Sequence, residues 1–369
     1  MPTSRISRCC RWLVATLAGL LAATGVASAH VRYVTDTEDV GEGLQFLASA
    51  LTDPVNAGVI GGTGLLTVII LLVYLRVQPF QRDIEVFREA MREYSDLLPW
   101  LLRLGFGLPL VGAGFAGYLF NPVVDANLVN SGAARLFQIG LGFALLFGLA
   151  TRVTAVVGLV AYLLTLAIEP VVLFSMEWVP GFIAIALIGG GRPSADEVFQ
   201  RVADAEGTMY GDIDPIHDAA RRLNQAVDPY ERYVPTVIRV GMGISFAFLG
   251  VFEKLLAPQM AISVVRQYGL DQLIPVSVEL WVLGAGFAEL ALGTAIAVGL
   301  FTRLSALTAM SVFTLTLFGI PDDPVLAHIG LFSLASALLI TGAGPYALDD
   351  RIGAATPELP RIRERIAGT

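Results

Sequence analysis

Charge, lysine, histidine and cysteine are all scarce in this sequence. Of 369 residues only 15% are charged, where soluble domains carry about 25%. The net charge is -8 and Lys254 is the one lysine among 24 basic residues. No polybasic surface is offered to nucleic acid, so a DNA or RNA binder is excluded. Both cysteines, Cys9 and Cys10, lie at the extreme start. A chain processed after them has no disulfide, thiolate-ligated cluster or thiol relay. The three histidines, His30, His217 and His328, are too dispersed to supply paired axial ligands for a membrane haem. No phosphate loop, dinucleotide fingerprint, zinc pair or nucleophile elbow is present, because the glycine-rich stretches lie inside apolar runs.

Apolar residues, by contrast, make up 55% of the chain, and mean hydropathy is +0.69. With about 20 residues per crossing, the fold class expected is all-α: a polytopic helical membrane protein. Arg5, Arg8 and Arg11 precede an apolar run from Trp12 to Val26 that ends in Ala27-Ser28-Ala29. This is the pattern of a secretory signal peptide, 1–29, with an uncleaved signal anchor as the alternative. Cleavage would leave His30 with a free amino group beside its imidazole, a copper-type chelate without a second histidine nearby. The outer segment that follows, to Thr52, is too short for a domain.

Nine mature spans are expected, at about 55–75, 99–120, 133–150, 153–168, 171–190, 234–256, 277–300, 304–320 and 324–341. The stretch 78–97 places Ile84, Phe87, Met91 and Tyr94 at helical spacing among charges, as an interfacial amphipathic helix or one docked on the bundle. With the N-terminus outside, seventeen of the basic residues fall on the inner side, three lie in the leader, and Arg32, Arg135, Lys254 and Arg266 lie outside. That asymmetry satisfies the positive-inside rule and puts the C-terminus in the cytoplasm of a multi-pass cell-membrane protein.

Sliding the sequence on itself exposes an internal repeat. At an offset of 136, Pro99, Arg103, Gly105, Gly107, Gly114 and Pro122 match Pro235, Arg239, Gly241, Gly243, Gly250 and Pro258. At an offset of 151, Gly142, Gly148, Thr151-Arg152 and Pro170 match Gly293, Gly299, Thr302-Arg303 and Pro321. The larger offset implies an insert near Met260 to Leu273. Four spans per half make the copies parallel, not inverted. Recurrent glycines allow close helix approach, and each Thr-Arg reads as a cytoplasmic hairpin of topological role. Between the halves, Arg192 to Tyr233 is a polar cytoplasmic linker with one short helix at about 215–226, where His217 is a solvated side chain.

The second half resembles the DoxX/DoxD family of small four-helix membrane proteins. The resemblance rests on Arg239-Val-Gly-Met-Gly with Gly250 and Lys254, on Glu289-Leu-Ala-Leu-Gly, on Gly299-Leu-Phe-Thr-Arg, and on Gly344-Pro-Tyr-Ala-Leu-Asp. It implies a division into 30–98 with the first span and amphipathic helix, a degenerate DoxX-like repeat 99–193, the linker 194–233, a DoxX-like repeat 234–349 and a cytoplasmic tail 350–369. It also implies association with quinone-linked respiratory chemistry, as a subunit without an electron carrier of its own. Quinone is the cofactor implied, and redox subunits, the lipid bilayer and a second copy in a homo-oligomer are the partners. The first half departs from the pattern: Gly117-Tyr118 replaces Glu253-Lys254, Gln138 replaces Glu289, and Glu177 stands opposite His328. Shared chemistry is therefore expected in the second half, with the first as scaffold.

Glu289 is the sharpest candidate, a carboxyl in mid-span where insertion costs about 2.5–3.5 kcal/mol and a cavity-facing role is the rule. It is read as a proton carrier or as a structural hydrogen-bonding group. Lys254 either reaches inward to Glu289 or snorkels to the interface. His328 either meets a quinone oxygen or packs as a core residue, and Glu253 and Glu279 are further contacts for a headgroup. The functional alternatives are a small-solute transporter and a membrane assembly scaffold.

Overall fold

A computed structural model describes residues 40–125, 131–210, 217–321 and 325–351. The leader, His30 and most of the C-terminal tail lie outside the described residues. The chain is helical almost throughout: α1 (Val40–Thr52), α2 (Pro54–Val77), α3 (Gln81–Glu93), α4 (Leu98–Ala116), α5 (Ser131–Phe147), α6 (Thr151–Ile168), α7 (Trp178–Ile188), α8 (Ala195–Asp204), α9 (His217–Val227), α10 (Val234–Phe248), α11 (Pro258–Gln267), α12 (Leu270–Leu273), α13 (Val278–Val298), α14 (Thr302–Gly319) and α15 (Val325–Thr341). A two-stranded antiparallel ribbon, β1 (Tyr118–Leu119) and β2 (Asn121–Asp125), follows α4.

Among the described residues, five helical stretches are long and apolar enough to cross a membrane: Pro54–Val77, Gln81–Ala116, Thr151–Ile168, Asp218–Leu255 and Val278–Val298. Gly132–Phe147, Trp178–Ile188 and Val325–Thr341 are shorter apolar helices. The molecule wears its large apolar side chains outward, among them Leu65, Phe115, Leu136, Leu164 and Phe318. In water such a surface would aggregate, whereas in lipid it is solvated. This is a polytopic helical membrane protein.

Each of the nine expected spans overlaps a helix, but only five lie on stretches long and apolar enough to cross, and α14, over 304–320, is not among them; three of the nine also differ in form. The stretch 99–120 stops being helical at Ala116, because Gly117 takes φ 93° as a left-handed cap; the chain then turns into the ribbon. The stretch 171–190 opens with a 3-10 turn, Pro170–Ser175, before α7. The stretch 234–256 ends in a π-helix, Leu249–Leu255. The linker is also more helical than expected, since α8 and a 3-10 turn at Asp228–Tyr233 accompany α9. Ser194 starts α8 by accepting from Glu197 N at 3.1 Å, an N-cap of ordinary kind. The amphipathic stretch forms α3, which packs against α15.

One apolar core runs through both halves, including Leu102, Phe106, Phe182, Ile238, Met242 and Leu334. The halves interlock where α4 meets α15 and α7 meets α10. Gly105 lies against Ser333, whose Oγ donates to Leu101 O at 3.0 Å, and Gly241 lies against the Pro180 ring.

Similar polar contacts recur at the arginines the two offsets align. Arg103 donates to Leu146 O and Pro193 O; Arg239 donates to Ala297 O at 2.7 Å and to Pro345 O at 3.3 Å. Arg152 reaches Ala186 O at 2.8 Å and Arg303 reaches Leu339 O at 2.7 Å, so both satisfy carbonyls at a helix C-terminus. The Thr-Arg pairs thus staple helices as well as marking a charged end. Arg152 also binds Asn224 Oδ1 and Asp228 Oδ1, each at 3.0 Å, tying the linker to the first half.

Two aspartates close the same turns. The Asp196 carboxylate accepts from Ala150 N and Thr151 N at 2.6 and 2.8 Å, and Asp349 accepts from Phe301 N and Thr302 N at 2.7 and 3.0 Å. Each turn needs a non-glycine residue in the left-handed region, Ala150 at φ 45° and Phe301 at φ 48°. That costs energy which the carboxylate offsets. Asp349→Ala should therefore cost about 2 kcal/mol, the range for charged hydrogen bonds and caps. The check is a thermal unfolding midpoint in detergent, with exposed Asp350→Ala as the smaller control.

Candidate functional site

The site forms where the π-helix at the end of α10 faces α13. Gly243 and Gly293 bring the two backbones into contact, and Gly250 lies against Gly286 O, so little side-chain bulk separates the helices. Glu289, one turn before Gly293, faces this seam at the level of Gly250. A π-turn widens the helix and re-aims the side chains on it; such turns concentrate at functional sites. Here it carries Glu253 and Lys254 in succession.

Lys254 turns inward. Its Nζ lies 2.8 Å from Glu253 Oε2 and 2.9 Å from Glu289 Oε2. The three side chains keep only about a fifth to a quarter of their surface exposed, 21%, 25% and 19% for Lys254, Glu253 and Glu289. One cation shared by two carboxylates leaves the cluster with a formal charge of -1 when all three ionise. It can therefore take up one proton without losing its lysine contact.

The end of this seam at Leu255 is roofed. Ala50 of α1 packs with Leu255 and Leu283, joined by Phe46, Leu47 and Phe287. Gly43 sits so close to Leu256 O that a Cβ there would fall 2.1 Å from it. The stretch 258–273 forms α11 and α12, whose Ile262, Val265 and Leu270 pack on Val282, while Trp281 Nε1 donates to Leu270 O at 3.1 Å. The segment before Thr52, too short for a domain, is thus part of the site's cover.

The other two candidates sit elsewhere in the bundle. Glu279 lies in the first turn of α13, ten residues before Glu289, which at helical rise is about 15 Å along the axis. His328 lies on α15 with its ring edge-on to Phe313 at 6.0 Å, and Phe313 in turn packs on Phe246 at 5.2 Å and Phe332 at 5.3 Å. The imidazole thus belongs to an aromatic layer that reaches α10 through Phe246. Among the described residues no group of three His, Cys, Asp or Glu is placed to hold a metal ion.

Residues that the sequence reading passed over sit at the aligned positions of the first half. Gln138 Nε2 donates to Tyr118 O at 3.1 Å and Leu110 O at 3.3 Å. An amide there meets the backbone of the position aligned with Lys254, whereas Glu289 meets the lysine itself. Glu177 is buried beside Trp178. Their signal in the sequence is the alignment itself, which pairs Gln138 with Glu289 and Glu177 with His328.

Comparison with known proteins agrees with the architecture in one region. The DoxX family model matches residues 234–322, which span α10, the π-turn, the roof helices, α13 and α14. No curated protein and no solved structure matches the chain. The second half of this chain therefore carries a DoxX domain, set within a polytopic helical membrane protein.

Proposed function

We propose that the protein is the integral membrane subunit of a quinone-associated redox complex, in which Glu289, Lys254 and Glu253 hold and pass a proton at the edge of a quinone headgroup. The observation that carries this reading is the inward lysine, paired at once to a carboxylate on its own helix and to one across the seam. An ionisable group inside a membrane bundle is costly to place, and such groups mark ion or proton paths. The chain has no electron carrier of its own, so oxidation and reduction would belong to the quinone and a partner subunit. His328 and Glu279 would then be headgroup contacts approached from α15 and from the outer end of α13.

The same reading takes the halves as tandem parallel copies, 99–193 and 234–349, with the N-terminus outside and the C-terminus in the cytoplasm. Its support is the recurrence of the Arg103/Arg239 and Asp196/Asp349 contacts and the basic bias toward one side. The seam at Lys254, near the roof formed by α1 and α11, would face the outer leaflet.

The test is quinol-dependent turnover in membranes carrying wild type or Glu289→Gln. The variant keeps the Lys254–Glu253 contact at 2.8 Å, so the fold should persist while turnover falls about a hundredfold, the lower bound for loss of a general acid or base. Unchanged turnover overturns the proposal. Solute flux in proteoliposomes free of quinone would instead favour a small-solute transporter, which interlocked halves could frame.

A further inference from the structure

The side of α3 turned toward the bundle carries positive charge without a counter-ion. Arg88 and Arg92 stand one turn apart and are half-buried, with Ile84 and Met91, where α3 packs against α15. The acids of the same helix, Glu85, Glu89 and Glu93, are exposed. Among the described residues no carboxylate pairs with either arginine, and Arg92 Nε is buried without a hydrogen-bond partner. Like charges at this spacing destabilise a helix, and leaving a buried polar atom unpaired adds to the cost.

A third arginine joins them. Arg303 opens α14, and its Nε and Nη2 donate to Leu339 O and Ile340 O at 2.7 and 3.0 Å, which anchors it to the end of the helix that α3 packs against. Its Nη1 makes no bond among the described residues. Arg88 and Arg92 lie close enough that their charges repel that of Arg303, while Asp349 attracts it. Asp349 is a single carboxylate against three guanidiniums, and its oxygens already hold Phe301 N and Thr302 N.

The depth of the cluster in the membrane points to the anion. The apolar helix α2 buries none of its span against the protein, ends at Val77, and packs Tyr74 edge-on against Phe301 at 5.0 Å. It therefore leaves the hydrocarbon where α14 starts and α15 ends, which is the level of the lipid headgroups. The next helix, α3, exposes Val86 and Phe87 as well as its charges, as a helix lying in that interface does. Planar guanidinium forks match the oxygens of a phosphate, and a basic pocket at headgroup depth favours lipids of net negative charge. We propose that Arg88, Arg92 and Arg303 form a binding site for the phosphate headgroup of an anionic phospholipid. The site shares no residue with the Lys254 cluster, so it stands independently of the quinone reading.

The experiment is thermal unfolding of the full-length protein in a neutral detergent, titrated with phosphatidylglycerol and with phosphatidylcholine of the same acyl chains. A third titration uses sodium phosphate against sodium chloride at equal ionic strength. The expected result is a saturable rise of the unfolding midpoint with phosphatidylglycerol alone. Arg88→Gln and Arg92→Gln should each raise its half-saturating concentration at least about tenfold. Arg82→Gln, an equal loss of charge at an exposed position of α3, should leave it unchanged. Arg303 stays in place, because it also staples α15. Without lipid, Arg88→Gln and Arg92→Gln should melt no lower than wild type, since each relieves repulsion, whereas a merely structural contact would lower the midpoint with and without lipid. An equal response to phosphatidylcholine or to inorganic phosphate, an unchanged response in the two variants, or a lower lipid-free midpoint overturns the proposal.

Discussion

Lys254→Met should destabilise the protein by about 3 kcal/mol, the lower end of the 3–5 kcal/mol found when one partner of a buried pair is removed. The lower end applies because the cluster keeps about a fifth of its side-chain surface exposed. The loss has two physical parts. Two carboxylates that shared one cation are left facing each other across the seam, and each loses a partner within 3 Å. Neutralising one acid removes most of this penalty. Lys254→Met combined with Glu289→Leu should therefore unfold closer to wild type than Lys254→Met alone. The non-additivity of that double-mutant cycle isolates the Lys254–Glu289 coupling from the general cost of losing a long side chain. Thermal unfolding of the four proteins in one detergent measures it. Additive effects would mean that the ammonium group does its stabilising work elsewhere.

Why this pair, and not others, was visible from sequence is a matter of what a membrane forbids. A carboxyl in the middle of an apolar run has to find a partner, so Glu289 announced itself. The same logic made the spans legible, since length and hydropathy are direct consequences of a bilayer's thickness. What Lys254 does was not settled by that logic, because snorkelling outward and pairing inward use the same stem. The outcome depends on the π-turn, and no pattern in Leu249–Leu255 distinguishes it from α-helix.

Side-chain acceptors for backbone N–H groups were equally hidden. Asp196 looks like an ordinary charge beyond a span and Asp349 like the end of a family motif, and only the fold reveals that both bind the turn before the third helix of their half. Glu177 is the converse case: it aligns with His328, and the position keeps a buried polar group of another kind. The ribbon after α4 had a usable signal in Gly117 and Asn121-Pro122, turn-forming residues that an apolar tally overlooks.

Gly243 and Gly293 should be the least replaceable residues in the second half. A Cβ at Gly243 would lie 2.5 Å from both Ala297 N and Gly293 O, and one at Gly293 would lie 2.5 Å from Ala247 N and 2.6 Å from Gly243 O. All four are backbone atoms, so no rotamer change can make room; α10 and α13 must move apart. Overpacking of this kind costs about 1–3 kcal/mol for a single added group, and Gly293→Ala should reach the top of that range, with Gly243→Leu yielding no folded protein. Moving the helices apart also opens the Lys254–Glu289 contact, since Glu289 is one turn from Gly293. Gly293→Ala should thus suppress much of the coupling that the double-mutant cycle detects. Two controls separate this from a general intolerance of glycine replacement. Gly61 on α2 has nothing within 4 Å, so Gly61→Ala should be neutral or stabilise by up to about 1 kcal/mol. At the aligned crossing in the first half, a Cβ on Gly107 meets the Leu146 side chain at 2.8 Å and Gly142 O only at 3.0 Å. The Leu146 side chain can yield where backbone cannot, so Gly107→Ala should cost less than Gly293→Ala. The folded, monodisperse fraction and its unfolding midpoint report each case, and equal penalties at Gly61 and Gly293 would refute the backbone-contact argument.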